Sequence, residues 1–290
     1  MNAVVYHIAS GQAFFSGAML ISLSVLLACR PRNHWFAFGR TVLACLGLIL
    51  VAVSATPLPG WFYVIAGAAS LIWVGLEGSS RVRWQGGKPW LRGAVLAIWW
   101  LGVALELPYH FLPVLPKLGR PNVYVVGDSL SAGVGDRTVE TWPGRLERTR
   151  ALTLLDFARM GATVASAQSQ AKEVDDGAGL VIVEIGGNDV LGGTTPETFE
   201  QGLDLLLSRL RSQKRTVILL ELPLPPFYNR YGVLQRRLAK RHGAVLVPKR
   251  VLLGVLTTKG ATVDSIHLSS KGHRLMAEAV WAIIQPAFAR

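Results

Sequence analysis

The chain has 290 residues, of which 51% are hydrophobic, and its mean hydropathy of +0.37 is too apolar for an ordinary soluble enzyme. Its formal net charge of +12 comes without zinc-finger spacing, an RNA-binding signature or a long basic run. We therefore expect no nucleic-acid partner and favour an anionic membrane surface. Only seven of the 30 basic and two of the 18 acidic residues precede residue 117, so an apolar first third is followed by a charged remainder.

Four apolar runs in the first third predict an all-α membrane domain of about four transmembrane helices. The runs cover residues 13–29, 41–59, 61–76 and 90–107. The first has 17 uncharged residues, which at 1.5 Å per residue nearly cross a hydrocarbon core of about 30 Å. The fourth is the weakest, because only 13 uncharged residues separate Arg92 from Glu106. Between the second and third, TPLPG predicts a tight turn.

The positions of the basic residues predict the orientation of these helices. The seven basic residues of the first third lie in the loops after the first and third runs, with Arg92 at the point where the latter loop meets the fourth run, whereas the amino terminus and the TPLPG turn contain none. By the positive-inside rule those two loops are cytoplasmic. Four spans then place the rest of the chain on the periplasmic, or extracytoplasmic, side of a bacterial inner (cytoplasmic) membrane, whereas three would place it in the cytoplasm.

Two features near the amino terminus leave narrower alternatives. LLAC, ending at Cys29, loosely resembles a lipoprotein cleavage site, and the first apolar run resembles a signal peptide. Both are disfavoured because positive charge follows the apolar core instead of preceding it. Cys29 and Cys45 both lie in apolar runs, so no structural disulfide is expected and cysteine usage leaves the compartment open.

The remainder predicts an α/β domain over residues 123–290, joined to the membrane domain of residues 1–111 by an extended, proline-containing linker at 112–122. The predicted strands are 123–126, 153–157, 180–185, 216–222 and 244–247. The predicted helices are about 140–150, 162–173, 197–213, 228–241 and 270–286. Continuously apolar strands that alternate with helices favour a parallel sheet covered on both faces, with its site at the carboxyl ends of the strands.

Four short segments near those strand ends supply candidate site residues. Ser129, in GDSL after the first strand, fits a turn or cap, but at a helix start its amide is also free to donate. Asn188, in GGND after the third strand, either satisfies turn backbone or aims its amide at a substrate oxygen. Gly161 is either a turn glycine or a residue whose missing side chain lets its N–H approach an oxyanion. Asp264 and His267, in DSIH, pair a histidine with a carboxylate able to orient it.

Together, GDSLSAG, Gly161, GGND and DSIH resemble the four sequence blocks of the SGNH hydrolases, also called the GDSL esterase and lipase family. The blocks occur in that family's order and spacing over roughly residues 122–288, and the first is most similar to the bacterial thioesterase and lysophospholipase branch. The membrane third lies outside the resemblance.

The resemblance implies a flavodoxin-like three-layer α/β/α domain with a Ser-His-Asp triad. It implies that Ser129 is the nucleophile, His267 the base and Asp264 the third member of the triad. It also implies an oxyanion hole formed by the Ser129 and Gly161 amides and the Asn188 side chain. No cofactor or metal is expected: the sequence has no HExxH motif, cysteine–histidine cluster or phosphate loop, and a metal site on Asp128, Asp189 and Asp264 is disfavoured.

These features predict a membrane-anchored serine esterase acting on acyl or acetyl esters, such as lipids, lysophospholipids or acetylated glycans. Three alternatives stay open: an O-acyltransferase acting on cell-envelope glycans, a cytoplasmic-facing thioesterase, and a catalytically silent scaffold. The basic segment 230–243 is either a solvated helix face or a surface held against anionic lipid or wall polymer. Acyl length, alcohol moiety and oligomeric state are not encoded in any readable motif.

Overall fold

A computed structural model describes the protein over residues 3–28, 34–78, 89–135, 138–175, 177–264 and 266–288. The chain divides into two compact units. The helical unit holds Ala3–Pro108 and Leu224–Arg230, and the sheet unit holds Tyr109–Pro223 and Tyr231–Arg290.

The helical unit is built from apolar helices. They are α1 Ala3–Ala9, α2 Gln12–Leu27, α3 His34–Val53, α4 Gly60–Gly78 and α5 Pro89–Glu106. Helices α2 and α3 pack closely at two glycines, since a Cβ on Gly17 would lie 2.6 Å from the Gly47 carbonyl oxygen. Residues 54–59 contain no helix and separate α3 from α4, which confirms the predicted turn.

Two segments of the helical unit are long and apolar enough to cross a membrane. They are Gly60–Glu77, with 18 residues, and Pro89–His110, with 22. Helices α1 and α2 qualify only as a pair bent by 83°, and the part of α3 whose side chains are described, Ala37–Val53, is a shorter apolar helix. The described residues thus support two spans, or three if the bent pair is one span, and the predicted number of four stays a prediction. Cys29 and most of the basic residues behind the predicted orientation, at 29–33 and 79–88, lie outside the described residues.

One acidic side chain joins two arginines within the helical unit. Arg92 Nη2 lies 2.6 Å from Glu77 Oε1, and Arg40 Nη1 lies 3.5 Å from Glu77 Oε2. Arg40 and Glu77 are largely buried, and a buried charge is costly unless it is paired. These three charges therefore link α3, α4 and α5 through a single carboxylate.

The sheet unit confirms the predicted α/β class. Its strands are β1 Asn122–Gly127, β2 Leu154–Asp156, β3 Gly179–Glu184, β4 Arg215–Leu220 and β5 Val245–Val247. They pair in parallel in the order β2-β1-β3-β4-β5, which is the flavodoxin-like order. Strands β2 and β5 are shorter than predicted.

Helices connect these strands. They are α6 Ser129–Ala132, α7 Trp142–Arg150, α8 Ala167–Glu173, α9 Gly187–Leu191, α10 Pro196–Leu210, α11 Asn229–His242, α12 Lys249–Leu256 and α13 Ser270–Ile284, with 3₁₀ turns at Leu107–His110 and Gln285–Phe288. Helix α8 begins five residues later than predicted, because Thr163 and Ser166 hydrogen-bond to each other in the preceding turn. Helices α6, α9 and α12 were absent from the prediction.

Both faces of the sheet are buried. Val123, Val125 and Ile182 lie in one core cluster with side chains from α7, α12 and α13. The alternate residues Tyr124 and Val126 are also fully buried, so the opposite face is covered as well. The predicted burial of the strands on both faces is confirmed.

The predicted linker is attached to the sheet unit. Residues 112–117 form no helix or strand, in keeping with an extended segment. Leu115 is nevertheless part of the core cluster, and the Leu118 N–H donates to the Ala287 carbonyl at 2.8 Å. The second half of the segment therefore runs along the core instead of projecting freely.

The basic segment on α11 is only partly a solvated surface. Arg236 is 6% exposed; its Nε lies 2.6 Å from Glu221 Oε1 and its guanidinium stacks 3.7 Å from the Tyr109 ring. Arg236 is therefore neither part of a solvated helix face nor free to contact anionic lipid or wall polymer. As a buried arginine, it requires an ion-pair partner inside the protein. Arg237 and Arg241 pair with acidic residues of α10 at the surface.

Candidate active site

The predicted nucleophile lies at the carboxyl end of β1. Ser129 is the first residue of α6, two residues after the end of the strand, and is 5% exposed. The Asp128 carboxylate accepts a hydrogen bond from the Leu130 N–H at 3.0 Å and so caps this short helix. The Ser129 N–H lies in the first turn, where a helix provides no internal acceptor. This amide therefore suits an external oxygen.

A buried glutamine fixes the strand end that carries this turn. Gln170 Oε1 accepts the Gly127 N–H at 2.9 Å, and Gln170 Nε2 donates to the Gly127 carbonyl at 3.0 Å. Gln170 is 1% exposed, so water does not compete for these bonds. The position of Ser129 is thus set by a residue of α8 as well as by the sheet.

The predicted base and its carboxylate are joined directly. His267 Nδ1 lies 2.6 Å from Asp264 Oδ2, and the His267 N–H donates to Asp264 Oδ1 at 2.8 Å. The side-chain bond to His267 is the main reason that the pKa of Asp264 falls to about 2. Asp264 therefore remains ionised at all ordinary pH values and orients the imidazole.

The loop with this pair lies near the nucleophile turn. Burial raises the pKa of Asp128 to about 6, and the charge of His267 is among the influences that oppose this rise. His267 is therefore within electrostatic reach of the residue that precedes Ser129. Among the described side chains, Ser129 Oγ forms no hydrogen bond to His267; such contacts are often long in unliganded enzymes and tighten with substrate.

The third predicted segment ties two loops together. Asn188 Nδ2 donates to the Ala162 carbonyl at 2.9 Å and faces Asp128 Oδ2 at 3.4 Å. Its neighbour Asp189 accepts the Val164 N–H at 2.9 Å. Helix α9 therefore holds the turn after β2 against the turn after β1, which brings Asn188 and the Gly161 segment together.

Gly161 is required by its backbone conformation. Its φ is +74°, in the left-handed region that favours glycine, and a Cβ at this position would meet no atom within 4 Å. The sequence interpretation stressed the missing side chain. The structure adds that the backbone angle demands glycine and that open space lies beside it.

A pair of buried carboxyl groups lies beneath the nucleophile turn. Glu184 ends β3 and is 0% exposed, and its backbone carbonyl accepts the Asp128 N–H at 3.1 Å, which places its carboxyl within reach of that of Asp128. Burial, followed by the charge of Asp128, raises the pKa of Glu184 well above its ordinary value. Sequence reasoning missed Glu184 and Gln170. Glu184 could have been noticed in the sequence, because an acidic residue ends the otherwise apolar strand VIVE. No feature of the sequence distinguishes Gln170.

A second histidine near the carboxyl terminus, His273, is buried at 1% exposure. Its Nδ1 accepts the Trp142 N–H at 3.2 Å, and burial lowers its pKa. The neutral ring thus serves as the acceptor for the start of α7.

The three aspartates considered for a metal site have other partners: Asp128 caps α6, Asp189 binds the Val164 N–H and Asp264 binds His267. Over the described part of the chain, no three His, Cys, Asp or Glu side chains form a ligand set.

Comparison with known proteins places these residues in a wider context. Residues 125–275 match the model of the GDSL-like Lipase/Acylhydrolase family. Esterase TesA of Pseudomonas aeruginosa is 28% identical over 179 residues, which are 57% of this chain and 88% of that protein. Thioesterase 1/protease 1/lysophospholipase L1 of Escherichia coli K12 is 26% identical over 192 residues, 62% of this chain and 92% of that protein.

Two further similarities extend this picture. An arylesterase of Vibrio mimicus is 27% identical over 188 residues, 61% of this chain and 94% of that protein. The crystal structure of TesA has a TM-score of 0.51 at 28% identity and covers 57% of this chain and 99% of its own. The family match begins after the apolar first third.

Proposed function

Because this chain belongs to the GDSL-like lipase/acylhydrolase family and is a serine hydrolase acting on ester bonds, we propose that Ser129, His267 and Asp264 form its catalytic triad. The observation that carries this proposal is the 2.6 Å contact between His267 and Asp264 on a loop within electrostatic reach of the Ser129 turn. The complete protein is then a membrane-anchored esterase.

The proposed chemistry follows from the weak nucleophilicity of a serine hydroxyl near neutral pH. As Ser129 Oγ attacks the ester carbonyl, His267 Nε2 takes the hydroxyl proton, since Nδ1 is engaged by Asp264. The imidazolium then gives this proton to the departing alcohol as the carbonyl–oxygen bond breaks. The same imidazole then takes a proton from water as the water attacks the acyl-enzyme, the bond from the acyl carbon to Ser129 Oγ breaks, and the imidazolium returns the proton to Oγ as the acid is released.

The negative oxygen formed in these steps needs preorganised donors. We assign the Ser129 and Gly161 amides and the Asn188 side chain to this oxyanion hole. One Asn188 N–H is held by the Ala162 carbonyl at 2.9 Å. The other faces Asp128 at a long 3.4 Å, so it can turn to a substrate oxygen at little cost.

Replacing Asn188 by alanine is expected to lower kcat on the order of 10²- to 10³-fold with little change in KM, because an oxyanion donor acts mainly in the transition state. Steady-state kinetics with a p-nitrophenyl ester measure this. Asn122→Ala, at the amino end of β1, is the matched control. A wild-type kcat in Asn188→Ala would remove this side chain from the oxyanion hole.

The substrate assay should span several ester classes. The relatives are named as an esterase, a thioesterase and lysophospholipase, and an arylesterase, so both oxygen esters and thioesters belong in it. We expect the purified full chain to hydrolyse p-nitrophenyl acetate or longer esters and a fluorophosphonate probe to label Ser129. Failure of both would favour the scaffold alternative. Faster acyl transfer to an added glycan than to water would instead identify an O-acyltransferase.

The proposed location is the extracytoplasmic side of the membrane. Two apolar segments of sufficient length support membrane anchoring, and the basic residues of the sequence support the orientation. An alkaline phosphatase fused after Pro116 is expected to be active, since this reporter requires export. An inactive phosphatase, with an active cytoplasmic reporter at the same position, would reverse the side and favour a cytoplasmic thioesterase.

A further inference from the structure

Two carboxyl groups lie side by side beneath the predicted nucleophile. Glu184 is 0% exposed and Asp128 is 3% exposed, and the Asp128 N–H donates to the Glu184 carbonyl at 3.1 Å, so the two carboxyl groups lie within hydrogen-bonding reach of each other. Two carboxylates have only acceptor oxygens, so a hydrogen bond between them requires a proton. Both ions together would also place two negative charges side by side in a buried site. The pair therefore holds one proton.

The surrounding hydrogen bonds indicate which member carries that proton. Asp128 uses one oxygen to accept the Leu130 N–H and the other to face the Asn188 amide, so all of its neighbouring donors favour the ionised form. Glu184 Oε2 accepts the Ser131 hydroxyl at 3.0 Å. Glu184 Oε1 is buried and no donor of the described residues faces it. A proton on Glu184 that points to Asp128 satisfies both groups.

We propose that Glu184 is a positioning residue that stays protonated at neutral pH and donates its hydrogen bond to Asp128. Asp128 is thereby kept as an ionised acceptor that holds the start of α6 and the resting Asn188 amide. Glu184 touches no reacting atom; it acts through Asp128. The expected effect of Glu184 on kcat rests on the proposed role of Ser129. The protonation of Glu184 does not depend on that role.

Two charged groups, His267 and Asp189, act on Asp128 from outside this pair. Burial is the main cause that raises the pKa of Asp128, to about 6, and Asp189 adds to it, while the Leu130 N–H, the hydrogen bond from Glu184 and the charge of His267 oppose the rise. Loss of the Glu184 donor must therefore raise the pKa of Asp128. The acidic limb of the kcat profile, on which Asp128 must be ionised, then moves to higher pH.

Comparing Glu184→Gln with Glu184→Leu in the full-length protein separates loss of the hydrogen-bond donor from a merely structural effect. Gln keeps a neutral donor, so its kcat is expected within about threefold of wild type with the same acidic limb. Leu removes the donor, and since a hydrogen bond to a charged group is worth about one pK unit or more, the limb should move up by about one pH unit. Leu should also lower kcat by up to about tenfold at pH 6, since a shift of one pH unit changes the ionised fraction of Asp128 by no more than that, and by less at pH 8.5. A merely structural role would lower kcat equally across the profile.

Two outcomes would overturn the proposal. The first is a Leu variant with the wild-type kcat and acidic limb. The second is a Gln variant as impaired as Leu, which would mean that an ionised Glu184 is needed. If the Leu variant does not fold, infrared difference spectra of wild type against Glu184→Gln at pH 7 test directly whether Glu184 is protonated. A band of a protonated carboxylic acid lost in the Gln variant supports the proposal, and a lost carboxylate band refutes it.

Thermal stability gives a readout that is independent of activity. The raised pKa of Glu184 means that, above the ordinary glutamate pKa of about 4.3, the folded state retains a proton that the unfolded state has lost. Folding stability from this group therefore falls as pH rises through that window. Glu184→Gln has no such proton, so its melting temperature relative to wild type should rise from pH 4 to pH 8. These spectroscopic and thermal results stand whether or not Ser129 proves to be the nucleophile, which Ser129→Ala tests separately.

Discussion

Replacing Ser129 by alanine is expected to lower kcat for ester hydrolysis on the order of 10⁴-fold or more and to abolish labelling by a fluorophosphonate probe. The reason is that no acyl-enzyme can form without the hydroxyl. The residual rate would come from the amides of the oxyanion hole, which the substitution leaves in place. Active-site titration and steady-state kinetics on the purified full chain measure both effects.

The matched control is Ser169→Ala. Ser169 is exposed on α8, and its hydroxyl donates to the Ser166 carbonyl at 2.8 Å, so its loss should leave kcat and labelling unchanged. Retained labelling in Ser129→Ala would show that another residue is the nucleophile. An intact melting temperature for Ser129→Ala separates lost chemistry from lost folding.

Much of the fold was readable from the sequence because its signals are local. The central strands β1, β3 and β4 are largely apolar runs that are buried along most of their length, and such runs stand out between amphipathic helices. Helix α9 was missed because five residues carry no periodicity. Helix α12 follows Pro248, a residue suited to a helix start, but its eight residues resemble an apolar strand.

The candidate site was only half readable. Ser129, Asn188 and the Asp264–His267 pair lie in short motifs whose joint occurrence is informative. The residues that hold them belong to other elements: Gln170 reaches Gly127 across 43 positions, and Glu184 reaches Ser131 across 53. Buried hydrogen bonds between residues so far apart in the sequence form only in the packed structure, so no local sequence pattern predicts them.

Replacing His267 by alanine is expected to lower kcat on the order of 10⁴-fold or more, with a smaller change in KM. The hydroxyl of Ser129 would then have to lose its proton to water, and the leaving alcohol would depart without an acid. Fluorophosphonate labelling should slow in parallel, since the probe also requires an activated hydroxyl. Kinetics at several pH values measure the loss, and raising the pH should restore only part of the activity.

The chain provides a second histidine–aspartate pair as a control for this experiment. His242 Nε2 lies 2.8 Å from Asp204 Oδ1, a contact much like the 2.6 Å contact of His267 with Asp264, but it joins α11 to α10 instead of lying at the carboxyl edge of the sheet. His242→Ala should cost some stability and leave kcat within about twofold. If His242→Ala and His267→Ala lost activity equally, both histidine–aspartate pairs would act only in folding, and His267 would not be the base. A loss confined to His267→Ala supports the assignment of proton transfer to the pair formed by His267 and Asp264.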